Sequence, residues 1–355
     1  MMIGVFHQSR LDLMILEVNF YKLSLISILF FLSCSNKKED NHHFKLVKGY
    51  AQGTTYSIKY KDVFDRDFSS SFDSILNEID QQLSTYDSTS FISKVNNSSD
   101  TCINLKGNDL FKFCYNYSKE IASLTNGFFN PAVYPLVSYW GFYNDTSPKI
   151  DSLFIKDSIL VYVNLDSNFK ITLLNNEDFL CKNNEKSRLD FNAVAQGYSV
   201  DLIADFLKKN KISHFLIEIG GELSAQGLNV HKQPWKIGIE KPVDNSYTGE
   251  HSFQKIIELN NNSLATSGNY RKFKIINGQK VVHSINPKTG FPAKNSLLSI
   301  TVITEKAAQA DALATAFMVM GKEQTISFLK DHLKDSIYCY MIYDSLNKYK
   351  EWSNF

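Results

Sequence analysis

The chain lacks the marks of several large protein classes. It has no excess of either charge: 38 Lys and Arg against 37 Asp and Glu leave +1, so no overall field draws it to nucleic acid. Its five cysteines, Cys34, Cys102, Cys114, Cys181 and Cys339, form no Cys-x-x-Cys pair and no zinc spacing with histidine. A cysteine-built metal site is therefore not expected. There is no internal repeat, and no low-complexity stretch beyond a short polar segment after Cys34. The apolar run Leu23 to Ser33 is too short to span a bilayer comfortably. What is present is ordinary for a globular protein. Of 355 residues 43% are hydrophobic and 21% charged, enough for a substantial core in one large domain or two modest ones. Aromatics reach 13%, with 26 Phe and 18 Tyr, and core and sheet packing accounts for them.

The run Leu23 to Ser33, preceded by Lys22, has the size of a signal-peptide h-region. Phe31-Leu32-Ser33-Cys34 resembles a bacterial lipobox, with Cys34 as the lipidated residue; an uncleaved N-terminal anchor is the competing reading. Met14 is a candidate start. The expected organisation is a lipoprotein signal peptide over 1–33, a tether over 34–45 and a folded domain over 46–355. The protein is then expected to be extracytoplasmic and lipid-anchored to a bacterial membrane, on its periplasmic side. Four cysteines would remain, free or paired.

Period-two alternation predicts a strand, a Gly-Thr-Thr turn and a second strand over Val47 to Tyr60. Helical spacing marks Phe72 to Leu83 and Leu110 to Leu124, the latter stopping at Thr125-Asn126-Gly127. Residues 150–188 read as short strands with charged turns. Tyr198 to Asn210 reads as a helix and His214 to Ile219 as a strand. Trp235 to Glu240 and Leu298 to Thr304 are further strands, and Ala307 to Met320 is an alanine-rich helix. Strands and helices do not alternate strictly, which indicates α+β.

Five segments could carry chemistry. Leu189-Asp-Phe-Asn-Ala-Val-Ala-Gln-Gly197-Tyr198 reads as a strand entering a helix through small residues. A helix N-terminus favours phosphate, though tight packing explains small residues nearly as well. Ile219-Gly-Gly-Glu222 offers bare backbone or a plain turn. Ala265-Thr-Ser-Gly-Asn-Tyr-Arg271 combines hydroxyls with an arginine that suits phosphate or pins its own loop. His283-Ser-Ile-Asn-Pro-Lys-Thr-Gly-Phe-Pro292 places a candidate base, or a structural histidine, at the mouth of a rigid loop. Ala310-Asp-Ala-Leu-Ala-Thr315 puts Asp311 and Thr315 on one helix face, where two oxygens suit a hard cation such as magnesium. An Asp capping the helix start is the alternative.

Taken together and in this order, the segments resemble the ApbE family of FAD:protein FMN transferases. Gln52-Gly-Thr-Thr-Tyr56, Leu83-Ser-Thr-Tyr86, Gly127-Phe-Phe-Asn-Pro131 and Pro135-Leu-Val-Ser-Tyr-Trp-Gly141 add to the likeness, which runs from about Tyr50 to Lys322. The resemblance implies a single compact α+β catalytic unit of the ApbE, T-fold-like type with an FAD cleft. It implies flavin contacts at Gln52, Tyr86, Phe128, Phe129, Asn130, Asp190, Gln196 and Ile285. It implies Mg2+ ligands at Ala193, through its carbonyl, Asp311 and Thr315, with His283 as the base.

The implied reaction moves the FMN half of FAD to a Thr or Ser hydroxyl of a target redox protein and releases AMP. An FAD pyrophosphatase would use the same residues, and a flavin-binding lipoprotein without catalysis is an alternative of another class. The family commonly has Met at position 52, Asp at 130 and 286, and Lys at 196. Each Asp→Asn change removes a charge but keeps an accepting oxygen, while Gln196 removes a cation near the expected phosphates.

Overall fold

Alternating side chains build the first hairpin. In β1 (Phe44–Ala51) and β2 (Thr54–Lys61), Tyr56, Ile58 and Tyr60 are buried while Ser57 and Lys59 between them are half-buried. The turn is Gln52–Gly53, not Gly-Thr-Thr. Both residues take positive φ, 54° and 71°, the geometry that suits a two-residue hairpin, which leaves Thr54 and Thr55 to the strand. The computed structural model describes residues 44–143, 151–242, 253–269, 273–276, 278–332, 336–346 and 348–355. Phe44–Phe355 form one unit. The signal peptide, Cys34 and Arg271 lie outside the described residues.

After the hairpin come α1 (Ser69–Leu83), which buries Phe72, Leu76, Ile79 and Leu83, and α2 (Phe91–Asn97). Next are β3 (Cys102–Asn104) and α3 (Asp109–Leu124), which ends where Asn126 and Gly127 turn left-handed. Residues 152–168 are short helical turns, not strands. Asp151 and Asn164 cap two of them, a local signal that outweighs the β-branched residues between. Only then do β4 (Phe169–Leu174) and β5 (Glu177–Lys182) form, pairing with β3 as a three-stranded sheet. Cys102 and Cys181 are register partners there and form a disulfide. Cys114 and Cys339 are free and buried.

Leu189 to Phe191 is extended but joins no sheet. The Asn96 side chain stands in for a strand partner: it donates to Leu189 O at 2.8 Å and accepts from Leu189 N at 2.7 Å. The chain continues through α4 (Ala195–Lys209), β6 (Phe215–Ile219), β7 (Glu222–Gln226), β8 (Trp235–Glu240), β9 (Phe253–Leu259) and β10 (Ser263–Gly268). It closes with β11 (Phe273–Ile276), β12 (Gln279–Val282), β13 (Leu297–Thr304), α5 (Ala307–Met320), α6 (Lys322–Asp331), β14 (Tyr338–Asp344) and β15 (Tyr349–Ser353).

The main sheet has eight strands in the order β1-β2-β6-β7-β10-β13-β14-β15, every pair antiparallel. One face carries Ile58, Ile217, Ile219, Ala265 and Val302 into a core shared with α1, α4 and α5. α5 is buried on nearly every side, which its alanines permit because they let the sheet and helices approach closely. The opposite face, with Leu223, Leu264, Ile303 and Ile342, packs under Trp235, Ile239, Ile257 and Leu259 of the β8–β9 ribbon. The architecture is α+β, as expected. Among the described residues no helix is long and apolar enough to cross a membrane.

Candidate functional site

The crossing of α4 and α5 sets the site's frame. Gly197 lies against the start of α5 so closely that an added Cβ would sit 2.4 Å from Ala307 O and 2.8 Å from Ala308 Cα. Asp201, one turn further along α4, accepts the Ala307 and Ala308 amides at 2.9 and 3.0 Å. It thereby caps α5, so Asp311 is not the cap. In return, Asp311 accepts the Gly197 amide at 3.2 Å, one of the orphan donors of α4. Each helix thus answers the other's N-terminus with a carboxylate.

Asp311 is 6% exposed, and burial pushes its carboxyl up to about 7. An added cation would favour its ionised form. Thr315 stands one turn on, half-buried on the same helix, and Ala193 lies in the turn just before α4. Among the described residues no three His, Cys, Asp or Glu gather around one point. A cation here would take one carboxylate, one hydroxyl and one carbonyl, and complete its shell with water and phosphate. That hard-oxygen donor set fits magnesium.

Beside the first turn of α4 lies a cavity of about 380 Å³, within the ~300–1,000 Å³ range of small-molecule sites. Gln52, Tyr86 and Gln196 line it together with Asp80, Asn192 and Ala195. Gln52 is fixed by donating to Ser199 Oγ at 2.6 Å, and Ser199 donates to Ala195 O at 2.7 Å. The other amide atom of Gln52, Oε1, is buried and receives no hydrogen bond from the protein, so a ring N–H could satisfy it. Burial pushes the Asp80 carboxyl above the usual range even though the Gln52 backbone N–H donates to it.

Asp190 joins this wall through a polar network. Tyr143 OH donates to Asp190, and Asn192 donates to Tyr143 OH at 3.1 Å and to Thr85 Oγ1 at 3.2 Å. Tyr86, 72% exposed, has its ring 5.7 Å from that of Tyr143, which stacks on Tyr134 at 4.5 Å. Asp80, Tyr143, Asn192 and Ser199 were not among the sequence candidates. Asn192 lay inside the Leu189–Tyr198 segment that the sequence singled out, and nothing local marked the others.

Of the remaining expected residues, Phe128 to Asn130 are tied to this wall, while Ile285 and His283 lie in a loop outside the cavity's lining. Asp190 N donates to Pro131 O at 2.7 Å, which fixes Phe128 to Asn130 alongside. Phe129 is buried, and Lys288 stands 4.4 Å over the Phe128 ring. Asn130 is engaged in the fold: it accepts from Ala132 N at 2.8 Å and donates to Val163 O at 2.9 Å. An aspartate could not make the second bond, which explains Asn locally. Trp140 donates to Gly290 O at 2.8 Å and pins the loop that begins at His283. Ile285 is buried in that loop and bridges Pro292. Asn286 accepts from Lys288 N at 2.9 Å, a turn that needs an oxygen but no charge. His283 is half-buried with its ring 6.4 Å from Phe142. Ser284 donates to Asn269 Oδ1 at 2.9 Å, joining this loop to the end of β10.

The sequence profile of the ApbE family matches residues 52–341. The chain is 31% identical to an FAD:protein FMN transferase of Haemophilus influenzae, over 83% of this chain and 85% of that protein. It is 32% identical to an FAD:protein FMN transferase of Vibrio cholerae, over 85% and 88%. The solved flavin transferase ApbE from Vibrio cholerae superposes with a TM-score of 0.75 at 30% identity, covering 88% of this chain and 97% of that one.

Proposed function

The chain belongs to the ApbE family, and on that premise we propose that it transfers the FMN half of FAD to a Thr or Ser hydroxyl of a target redox protein. The observation that carries this reading is the placement of the Gln52–Tyr86–Gln196 cavity against the N-terminal turn of α4, where Asp311 is buried. A flavin ring in the cavity would offer an N–H to Gln52 Oε1 and stack beside Tyr86. The diphosphate would then lie toward the first amides of α4, which favour anions.

Ala193, Asp311 and Thr315 would hold magnesium, which supplies charge neutralisation at the phosphoryl oxygens when bound. The acceptor oxygen forms a bond to the FMN-side phosphorus, and the bond from that phosphorus to the bridging oxygen breaks. AMP leaves with the bridging oxygen, and the hydroxyl proton passes to His283. Burial pushes the Asp311 carboxyl up, and a bound cation would favour its ionised form.

We place the protein outside the cytoplasm, anchored through lipid on Cys34. The Cys102–Cys181 disulfide supports an oxidising compartment.

The test is incubation with FAD, MgCl2 and membrane proteins, followed by mass spectrometry for a covalent FMN adduct. Wild-type protein is expected to produce the adduct. Asp311→Ala is expected to produce none while keeping its circular dichroism spectrum. Full transfer by that variant in metal-buffered solution would remove Asp311 from the mechanism.

A further inference from the structure

We propose that the groove between the main sheet and the β8–β9 ribbon seats an extended, hydroxyl-bearing segment of the protein that receives the flavin. The inference rests on the transferase reading above. The groove, of about 520 Å³, lies on the sheet face opposite α4 and α5. Its floor is mixed: Thr55 and Ser57 from β2, Glu218 from β6 and Thr266 from β10 lie among Leu216, Leu223 and Leu264. The strand alternation dictates this. Ile58, Ile217 and Ile219 fill the helical core, so their neighbours in sequence face the groove.

Three observations point to a peptide. First, the groove and the flavin cavity meet at one strip of backbone. An added Cβ on Gly220 would lie 2.7 Å from Gln196 Nε2, on the cavity side, and 3.0 Å from Thr54 Cγ2, on the groove side. Gly221, at φ +114°, has nothing within 4 Å of the place a Cβ would take. Gly221 therefore leaves its part of the strip bare, while at Gly220 the missing Cβ lets the Gln196 and Thr54 side chains close onto the backbone from either side.

Second, the charges around the groove are of both signs, Lys59 and Lys236 with Glu218 and Glu240. Such a lining selects neither a polyanion nor an anionic membrane surface. Hydroxyls and exposed main chain instead suit the alternating donors and acceptors of an extended polypeptide. Third, transfer needs the attacking oxygen and the leaving phosphate roughly in line across phosphorus. With the nucleotide on the helical side of the sheet end, the groove brings the acceptor to the same end from the other face.

The experiment offers FAD and synthetic peptides of about twelve residues, each with one central Thr and randomised flanks, and reads covalent FMN by mass spectrometry. Ser57→Trp places a ring in the groove from a strand position that tolerates aromatics. Lys236→Trp does so from the exposed ribbon and guards against a misfolded sheet variant. Wild-type protein is expected to label Thr peptides. Both variants are expected to lose about tenfold or more in kcat/KM for the peptide while FAD affinity, read by flavin fluorescence, changes less than about twofold. Undiminished labelling by the folded variants overturns the groove. So does a wild-type protein that binds FAD yet labels no peptide. A wild-type protein that does not bind FAD sinks the transferase reading itself and takes this inference with it.

Discussion

At the residue scale, Asp62 shows how a short-range pair can fasten distant elements. Its carboxylate accepts Arg66 Nε at 2.7 Å and Nη2 at 3.0 Å, and Arg66 also donates to Asn210 O at 2.9 Å just past α4. The Arg66 guanidinium holds the Asp62 carboxyl well below its ordinary range, at about 2. A carboxyl with a depressed folded pKa adds stability above its unfolded pKa, and that contribution is lost as pH falls toward the folded value. Melting temperature should therefore drop between pH 3.8 and about 2, and Asp62→Asn should flatten that part of the profile while lowering stability at pH 7. Identical profiles would remove Asp62 as the cause. For chemistry the telling residue is His283. If it takes the acceptor proton, His283→Ala should lower kcat by about a hundredfold or more with FAD affinity nearly unchanged. Equal losses in both would make it a binding residue. The sequence singles out His283, Asp311 and Gln52 as candidates because they sit in ordered motifs. It hid Tyr143 and Asp80, whose partners Asp190 and Gln52 are remote in the chain.

At the element scale, the α4–α5 crossing carries both packing and chemistry. Gly197→Ala would drive a methyl into Ala307 and Ala308 backbone, which cannot swing aside as a side chain could. Overpacking of this kind costs about 1–3 kcal/mol, so the urea midpoint should fall, and FMN transfer should fall with it because the Gly197 amide leaves Asp311. Loss of stability with full transfer would uncouple the crossing from the reaction. The α5 helix is legible in the sequence to its last residue at both ends, Ala307–Met320, because alanines at close spacing leave no strand alternative. The stretch before β4 is not. Its β-branched residues suggested strands, yet the Asp151 and Asn164 side chains accept the amides that start helical turns. Capping chemistry outweighed propensity there. Leu189 to Phe191 reads as a strand by pattern, but it joins no sheet: Leu189 is held by the Asn96 side chain and Asp190 by Pro131 O, which no periodicity reveals.

At the scale of the whole molecule, the three-stranded sheet stands apart from the flavin cavity and holds the long insertion between α2 and α4 by one covalent tie. The sequence left four cysteines free or paired, since spacing alone does not choose among their possible pairings. The fold chooses by register: Cys102 faces Cys181 across β3 and β5, while Cys114 and Cys339 are buried on other elements. The bridge spans 79 residues, and closing a loop of that length in the unfolded chain corresponds to about 4.5 kcal/mol by chain entropy. Cys102→Ser with Cys181→Ser should therefore lower unfolding stability by about that amount, and dithiothreitol should lower the wild-type midpoint while leaving the double variant unmoved. FAD affinity should stay the same in both, because none of the cavity-lining residues belongs to β3, β4 or β5. An unchanged wild-type midpoint under reductant would mean that the insertion is held by its packing alone, through Leu180 and Phe169 in the main core, and the case for an oxidising compartment would lose its structural support.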